Sequence, residues 1–172
     1  MPTSLSHAAS VKIGRRGMLG WLGAGTAMTL ATACGAKPSA AANSAFPLRH
    51  TDAEWRKLLT AKQYYILREE GTERPFSSAL LNEHRNGTFA CAADGNPVFS
   101  SHDKFDSGTG WPSFTRHLAG AQITGGSTLF NGGHEVHCSR CGGHLGHVFD
   151  DGPAPTGKRF CIDGDALVFR PA

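Results

Sequence analysis

From Gly71 onward, the sequence lacks the regular spacing of apolar residues that an amphipathic helix requires. Short apolar stretches instead alternate with turn-forming clusters, in a chain that contains 22 glycines and 9 prolines. This alternation is typical of antiparallel strands joined by tight turns. The predicted strands are Gly87–Ala92, Val98–Phe99, Leu129–Phe130, Glu135–Cys138, His147–Phe149, Arg159–Ile162 and Ala166–Phe169. The sequence therefore predicts a single, mainly β domain.

Two short helices are predicted ahead of the β region. Thr51-x-x-Glu54 and Thr60-x-x-Gln63 both have the spacing of a capping box, in which two side chains satisfy the free N–H groups that begin a helix. The residues predicted to face the core are Trp55, Leu58 and Leu59 in the first helix and Tyr64 and Leu67 in the second. Both helices are expected between about residues 51 and 70, with Gly71 ending the second.

Residues 1–33 have the composition of an export signal. They contain three cations and no acid, and the pair Arg15–Arg16 precedes an apolar, Gly/Ala-rich run from Met18 to Ala33. A basic start, an apolar middle and small residues at the end describe a signal segment, and the arginine pair indicates the twin-arginine route. We therefore predict export to the periplasm.

The chain after the signal leaves two forms of the N-terminus open. Ala31-Thr32-Ala33 fits a cleavage site, and the next residue, Cys34, is also placed to carry a lipid anchor. Residues 34–48 are predicted to form a flexible spacer. Residues 49–172 are predicted to form the folded domain.

The charge balance argues against nucleic acid as a partner. Of the 17 basic residues three lie in the predicted signal, which leaves 14 against 14 acidic residues. The basicity of the whole chain thus belongs to its leader. A near-neutral domain lacks the excess of cations that binding to nucleic acid or an anionic membrane requires.

The segment from His144 to Cys161 carries the residues of a nucleophilic site. Cys161 follows Lys158 and Arg159 within three residues, and a thiol beside cations is biased toward the reactive thiolate. His144 and His147 are the candidate proton donors and acceptors for such a thiol.

Strand periodicity predicts how these groups are arranged. On an extended strand Arg159, Cys161 and Asp163 share one face, while the residues between them face the core. The two histidines differ by an odd number of positions, which would place them on opposite faces of a regular strand. Gly146 between them permits a bulge that turns both to the same side.

A second cluster has the spacing of a metal site. Cys138-x-x-Cys141 is a knuckle whose two thiolates can bind one zinc ion, and Cys91-x-x-Asp94 supplies a second pair with a carboxylate in place of one thiolate. Two alternatives stay open for an exported chain. Cys138 and Cys141 form a disulfide, or Cys91 is free for redox chemistry.

The chain resembles the methionine-R-sulfoxide reductases of the B type. The similarity is carried by Thr51–Gly71, by TERPFSSALL, by KFDSGTGWPSF (residues 104–114) and by HLGHVFDDGPAPTG…RFC, and it spans about Thr51 to Phe169. The resemblance implies two antiparallel β-sheets with short N-terminal helices. It also implies repair of oxidised proteins or peptides by reduction of methionine-R-sulfoxide, through a sulfenic acid that a thioredoxin-like donor recycles, in a monomeric enzyme.

The resemblance also assigns residues. It implies Cys161 as the nucleophile, His147 as the principal proton donor with His144 beside it, and Arg159 next to the thiol. The substrate-binding positions are Trp111, Phe149 and Asp151. The four zinc positions are Cys91, Asp94, Cys138 and Cys141.

Three positions depart from the family pattern. Asp163 stands where asparagine is usual, and an acid there disfavours the thiolate unless it is protonated or paired with Arg159. Thr109 replaces a recycling cysteine, which makes Cys91 a candidate resolving thiol. Asp94 replaces a zinc cysteine.

An alternative function is a non-catalytic β module built on a zinc knuckle that binds a small ligand.

Overall fold

The computed structural model describes residues 46–125 and 132–172, which form one domain. The predicted signal, most of the predicted spacer and the predicted strand Leu129–Phe130 lie outside the described residues. Within the described part of the chain, neither helix has the length and apolar character that crossing a membrane requires.

Both predicted helices are present. Helix α1 spans Asp52–Leu58 and helix α2 spans Ala61–Glu69. Each begins with a complete capping box, in which the threonine hydroxyl accepts a hydrogen bond from the backbone N–H three residues on, at 3.3 Å in both cases. The capping motifs therefore set the start of both helices, as predicted.

One predicted core residue of the helices is wrong. Leu58 is 60% exposed, whereas Trp55 and Leu59 are buried. Leu58 is the last residue of α1, and the chain becomes extended at the C-cap Leu59, so Leu59 is buried in the core while Leu58 is left facing solvent. In α2, Tyr64 and Leu67 are buried as predicted.

Gly71 follows the end of α2, and its lack of a side chain has a specific reason. Glu70 ends the helix in the left-handed conformation with φ 54°, and the N–H of Gly71 donates to the carbonyl of Tyr65 at 3.0 Å. A Cβ atom at position 71 would lie 2.2 Å from the Tyr65 ring. The glycine lets that ring close over the helix end.

The strands form two antiparallel sheets, which confirms the predicted fold class. The three-stranded sheet has the order β2-β1-β9, and the six-stranded sheet has the order β3-β4-β8-β7-β6-β5. Their bounds are β1 Gly87–Cys91, β2 Pro97–Ser100, β3 Lys104–Phe105, β4 Ser113–Phe114, β5 Ala121–Ile123, β6 His134–Cys138, β7 His144–Phe149, β8 Arg159–Ile162 and β9 Leu167–Pro171. Single 3-10 turns span Ser101–Asp103 and Gly164–Ala166.

Apart from shifts of one or two residues at strand ends, the structure differs from the predicted strands at the following places. Strands β3, β4 and β5 were not predicted, because they are two or three residues long and their pairing depends on distant partners. Strand β7 begins at His144 and not at His147. Ala166 lies in a 3-10 turn before β9.

Aromatic rings from both sheets fill the core between them. Phe99 stacks on Phe114 with 4.5 Å between ring centroids, and Phe89 meets Phe114 edge-on at 5.0 Å. Phe160 and Ile162 of β8 are buried in the same core. Because side chains alternate along a strand, the residue between them must face the other side of the six-stranded sheet.

Candidate active site and metal centre

Cys161 lies on β8, between two neighbouring strands of the six-stranded sheet. Ser113 of β4 and His147 of β7 are its direct partners across the ladder. Phe160 and Ile162 point into the core, as the strand period predicts, so the thiol is on the opposite, half-buried face. The fold thus places a histidine directly beside the candidate nucleophile.

The cations that flank Cys161 are paired with acids. Arg159 forms two parallel hydrogen bonds with Asp151, from Nε to Oδ1 at 2.9 Å and from Nη2 to Oδ2 at 2.7 Å. Lys158 pairs with Asp150. The bidentate geometry fixes the Arg159 guanidinium in one orientation and lowers the pKa of Asp151, chiefly through the hydrogen bond from Arg159.

The predicted bias of Cys161 toward thiolate is wrong for this state of the molecule. Burial raises the pKa of the Cys161 thiol, and this effect exceeds the lowering by the Thr109 hydroxyl and by the Arg159 charge. Desolvation disfavours a thiolate, and Asp151 already offsets much of the positive charge on Arg159. A thiol in this environment would need a proton acceptor in order to act as a nucleophile.

His144 and His147 lie on the same side of the sheet, as the predicted bulge requires. Gly146 adopts φ 143°, the register of β6 and β7 shifts beside it, and the imidazole rings are 5.2 Å apart between centroids. A Cβ atom at Gly146 would lie 2.2 Å from the backbone oxygen of Cys161. Burial lowers the pKa of His147, which favours its neutral form.

Glu135 holds His144 and was not predicted as a site residue. Its Oε1 lies 3.0 Å from His144 Nδ1, and the hydrogen bond lowers the pKa of Glu135. His144 is 3% exposed, and its Nε2 has no hydrogen-bond partner within residues 46–125 and 132–172. The signal in the sequence was an acid at the first position of the predicted strand Glu135–Cys138, because a charge that a strand partly buries needs a partner.

Glu73 was also missed, and it joins the tryptophan to the end of β8. The Trp111 indole N–H donates to the Glu73 carbonyl at 3.2 Å, and the Glu73 N–H donates to Asp163 Oδ1 at 2.9 Å. Its carboxylate accepts the N–H groups of Gly164 at 2.6 Å and Asp165 at 3.1 Å. Burial raises the pKa of Glu73.

Asp163 directly follows β8 in an extended conformation, and its carboxyl group pairs with the backbone of Glu73 instead of with Arg159. Asp163 is 4% exposed, and Arg159 pairs with Asp151. Burial raises the pKa of Asp163 to about 7. Below about pH 7, protonation of Asp163 therefore reduces the negative charge beside the thiol, and pairing with Arg159 does not.

Phe149 lies within the group around Arg159. It is the direct partner of Arg159 across β7 and β8, and the guanidinium carbon lies 4.5 Å from the centre of its ring. Stacking and the Asp151 pair hold the guanidinium from two sides. Phe149, Arg159 and Asp151 thus form one wall beside the thiol.

The residue that replaces the recycling cysteine contacts the nucleophile. Thr109 Oγ1 lies 3.8 Å from Cys161 Sγ. Cys91, the predicted candidate resolver, is fully buried on β1 of the other sheet, with its sulfur 3.8 Å from that of Cys141. The geometry places Cys91 with the knuckle and Thr109 with the candidate nucleophile, Cys161.

The four predicted metal ligands converge. One ligand atom from each of Cys91, Asp94, Cys138 and Cys141 lies within 4.8 Å of the others. All four described cysteines are free thiols, so the Cys138–Cys141 disulfide is not present. Hydrogen bonds from the thiols of Cys141 and Cys91 lower the pKa of Cys138, while the hydrogen bond to Cys138 raises the pKa of Cys91.

This cluster fits a divalent cation. In such a buried cluster, thiols donate hydrogen bonds to a neighbouring thiolate. A bound cation would replace the thiol protons and stabilise all of the sulfurs as thiolates. Three thiolates and one carboxylate form a donor set that zinc accepts in tetrahedral geometry. Arg140 Nε lies 3.7 Å from Asp94 Oδ2, and Asn96 Nδ2 lies 3.5 Å from Cys138 Sγ, so neighbouring groups hold the ligands.

Comparison with known proteins agrees with this arrangement. The model of the SelR domain matches residues 59–171. A peptide methionine sulfoxide reductase MsrB of Methanosarcina barkeri is 51% identical over 122 residues, which cover 70% of this chain and 86% of that protein. MsrB proteins of Thiobacillus denitrificans and Agrobacterium fabrum are 52% and 49% identical over 123 residues, with 93% and 91% of their lengths covered and 70% of this chain in both cases.

The chain belongs to the MsrB family. The matched residues include both sheets, the thiol, the two histidines and the metal cluster. The resemblance recognised in the sequence is thereby confirmed.

The effect of the Asp163 charge on the Cys161 thiol of this MsrB family member can be tested by substitution. Above pH 7 the carboxylate is ionised and raises the pKa of Cys161 by repulsion. We expect Asp163→Asn to speed alkylation of Cys161 by iodoacetamide at pH 8 by roughly three- to tenfold, because removing a nearby like charge lowers a pKa by about half a unit to one unit. The pH midpoint of alkylation should move down.

The neighbouring substitution Asp165→Asn is the matched control and should leave that midpoint in place. An unchanged midpoint in Asp163→Asn would mean that the carboxyl group is not coupled to the thiol.

Proposed function

We propose that this protein reduces the R epimer of methionine sulfoxide in proteins or peptides to methionine. The observation that carries the proposal is the thiol of Cys161 on β8 with His147 as its direct neighbour on β7 and Arg159 fixed beside it. A sulfoxide becomes electrophilic only when its oxygen is protonated, so a thiol and an acid must act at one place. Support also comes from the relatives, which are named peptide methionine sulfoxide reductases.

The first half of the reaction, in which the substrate oxidises Cys161, needs no group beyond this chain and the substrate. His147 accepts the thiol proton of Cys161 and then delivers it to the sulfoxide oxygen. The Cys161 thiolate attacks the sulfur of the sulfoxide. The sulfur–oxygen bond of the substrate then breaks, and the oxygen forms a bond to the sulfur of Cys161. The substrate sulfur gains two electrons, methionine leaves, and Cys161 becomes a sulfenic acid.

The remaining site residues would hold the substrate and the proton donor. Trp111, fixed through its indole N–H, provides an apolar wall for the substrate methyl group. Phe149 and the Arg159–Asp151 pair would form a second wall. The hydrogen bond between Glu135 and His144 helps to hold the His147 imidazole in place. A group that is already oriented loses less entropy when the reaction occurs, so the activation barrier is lower.

The test of this function is stereospecific turnover. With dithiothreitol as donor, we expect the purified domain to convert N-acetyl-methionine-R-sulfoxide to the thioether and to leave the S epimer unchanged. Chiral chromatography of the residual sulfoxide measures both. Equal consumption of both epimers, or of neither, would contradict the proposal.

Recycling of the sulfenic acid is proposed to use an external thiol. A thioredoxin-like dithiol would attack the Cys161 sulfenic acid, release water and form a mixed disulfide, and its second thiol would then release Cys161. This assignment is supported by Thr109 at the position that touches Cys161 and by the burial of Cys91 in the metal cluster.

A thiol at position 109 is expected to change that route. In Thr109→Cys, oxidation by the sulfoxide should close an intramolecular disulfide with Cys161, because the side-chain atoms already lie 3.8 Å apart. Trapping of the sulfenic acid by dimedone should then fall by roughly tenfold or more, since an intramolecular thiol outcompetes a dissolved reagent. Mass spectrometry of the labelled peptide measures it.

The control for this variant is Thr88→Cys on the other sheet, which should be labelled like the wild type. Full dimedone labelling of Thr109→Cys would show that the two positions do not meet during turnover.

We propose Zn²⁺ as the structural ion of the cluster, held by Cys91, Asp94, Cys138 and Cys141. When bound, the ion ties β1 to the β6–β7 hairpin and contributes folding free energy.

Export by the leader and a monomeric state are further proposals. Their support is the composition of residues 1–33 and the family resemblance.

A further inference from the structure

The turn Arg74–Ser77 holds an aromatic residue in a conformation that glycine normally occupies. The Ser77 N–H donates to the Arg74 carbonyl at 3.3 Å, and Phe76, the third residue of the turn, has φ 62°. Turns with Pro at the second position and positive φ at the third usually carry Gly or Asn there. A bulky side chain in this region is strained, and such strain concentrates at functional sites.

Contacts with the segment before Trp111 maintain this conformation. The Phe76 N–H donates to the Gly110 carbonyl at 2.7 Å. A Cβ atom at Gly110 would lie 2.8 Å from Phe76 N and 2.9 Å from Phe76 Cδ2, so the ring edge packs on that glycine. Trp111 itself is bound to the carbonyl of Glu73. Two short segments therefore hold each other at two points, next to the proposed substrate wall.

The ring that this turn presents is open to solvent. Phe76 is 68% exposed, the largest value among the exposed large hydrophobic side chains of the described residues. A single exposed apolar residue is common on protein surfaces and has no meaning by itself. Here the exposure is combined with an unfavourable backbone conformation and with direct contact to the loop that carries Trp111. A water-facing ring offers the fold no burial in return for that strain.

We propose that Phe76 is a docking residue for the polypeptide that carries the oxidised methionine, and that its ring packs against an apolar side chain next to the sulfoxide. The inference rests on the proposed function and extends it to the sequence around the substrate residue. The rigid aromatic ring provides contact area at low entropic cost. A free amino acid has no flanking side chain with which to reach this ring, so Phe76 discriminates among substrates and leaves the chemical step unchanged.

The experiment compares Phe76→Ala with the wild type on three R-sulfoxide substrates. They are N-acetyl-methionine sulfoxide, a pentapeptide with leucine on both sides of the sulfoxide, and the same peptide with serine in both places. We expect kcat/KM for the leucine peptide to fall by roughly tenfold, mostly through KM, which is the scale of losing one buried apolar contact. The other two substrates should change by less than about twofold.

Two further variants separate docking from folding. Phe76→Asn keeps a residue that tolerates positive φ, and it should show the same selective loss as Phe76→Ala. Leu58→Ala removes a comparably exposed side chain on α1 and should affect no substrate. Equal losses on all three substrates, or no loss on the leucine peptide, would overturn the role of Phe76. A wild type that reduces none of them would instead refute the proposed function.

Discussion

Replacement of Cys161 by serine is expected to abolish reduction of methionine-R-sulfoxide with any thiol donor. A serine hydroxyl is a far weaker nucleophile at neutral pH and has no stable equivalent of the sulfenic acid, so neither attack nor oxygen transfer is possible. We expect turnover to fall by roughly a thousandfold or more, to the background of the donor alone. Initial rates with dithiothreitol and with a thioredoxin-like donor measure this.

The same variant should leave the fold intact. Cys161 is only half-buried and lies on the face of the six-stranded sheet that points away from the core, so the thermal midpoint and zinc content should match the wild type. Turnover that persists in Cys161→Ser would remove this residue from the mechanism. Loss of activity together with loss of folding would leave the assignment of the nucleophile without support from this variant, and iodoacetamide protection by substrate would then be the deciding measurement.

Replacement of Cys138 by serine is expected to have the largest effect on stability. Its sulfur lies 3.6 Å from Asp94 Oδ2 and is hydrogen-bonded to the thiols of Cys141 and Cys91, so it belongs to the centre of the metal cluster. We expect zinc content to fall from about one ion per chain to near zero. The thermal midpoint should drop by roughly 10–20 °C, because losing several kcal/mol shifts Tm by a few degrees per kcal/mol in a domain of this size.

The complementary variant is Asp94→Cys, which restores a fourth thiolate. It should bind zinc more tightly in competition with a chelator, because thiolate suits this ion better than carboxylate in a buried site. Atomic absorption gives the metal content and calorimetry gives the midpoint. A wild type without metal, or a Cys138→Ser variant as stable as the wild type, would show that the cluster is not a structural metal site.

Much of this molecule was predictable from local patterns. The capping boxes predicted where both helices begin, and the period of two predicted that Phe160 and Ile162 are buried on either side of Cys161. Gly146 indicated where a bulge was possible, and the register of β6 and β7 does shift beside it. The convergence of the two ligand pairs also followed from spacing and residue type.

The parts that were not predicted depend on contacts between distant segments. The sequence places Arg159 beside Cys161, but it does not reveal that Asp151 pairs with the guanidinium and that burial then raises the pKa of the thiol. Glu73 is 38 residues from Trp111 along the chain, and only the folded structure shows that they are bonded. Charge and burial around a site are properties of the tertiary structure, so short motifs predict them poorly.

The bulge at position 146 gives this site an unusual dependence. No chemically active group of the proposed reaction belongs to Gly146, yet a single added methyl group there would lie 2.2 Å from the Cys161 carbonyl oxygen and would push β7 away from β8. The distance between His147 and Cys161 thus depends on the absence of a single carbon atom at position 146. A residue that takes part in no bond-making step therefore has to be glycine if β7 and β8 are to keep this distance.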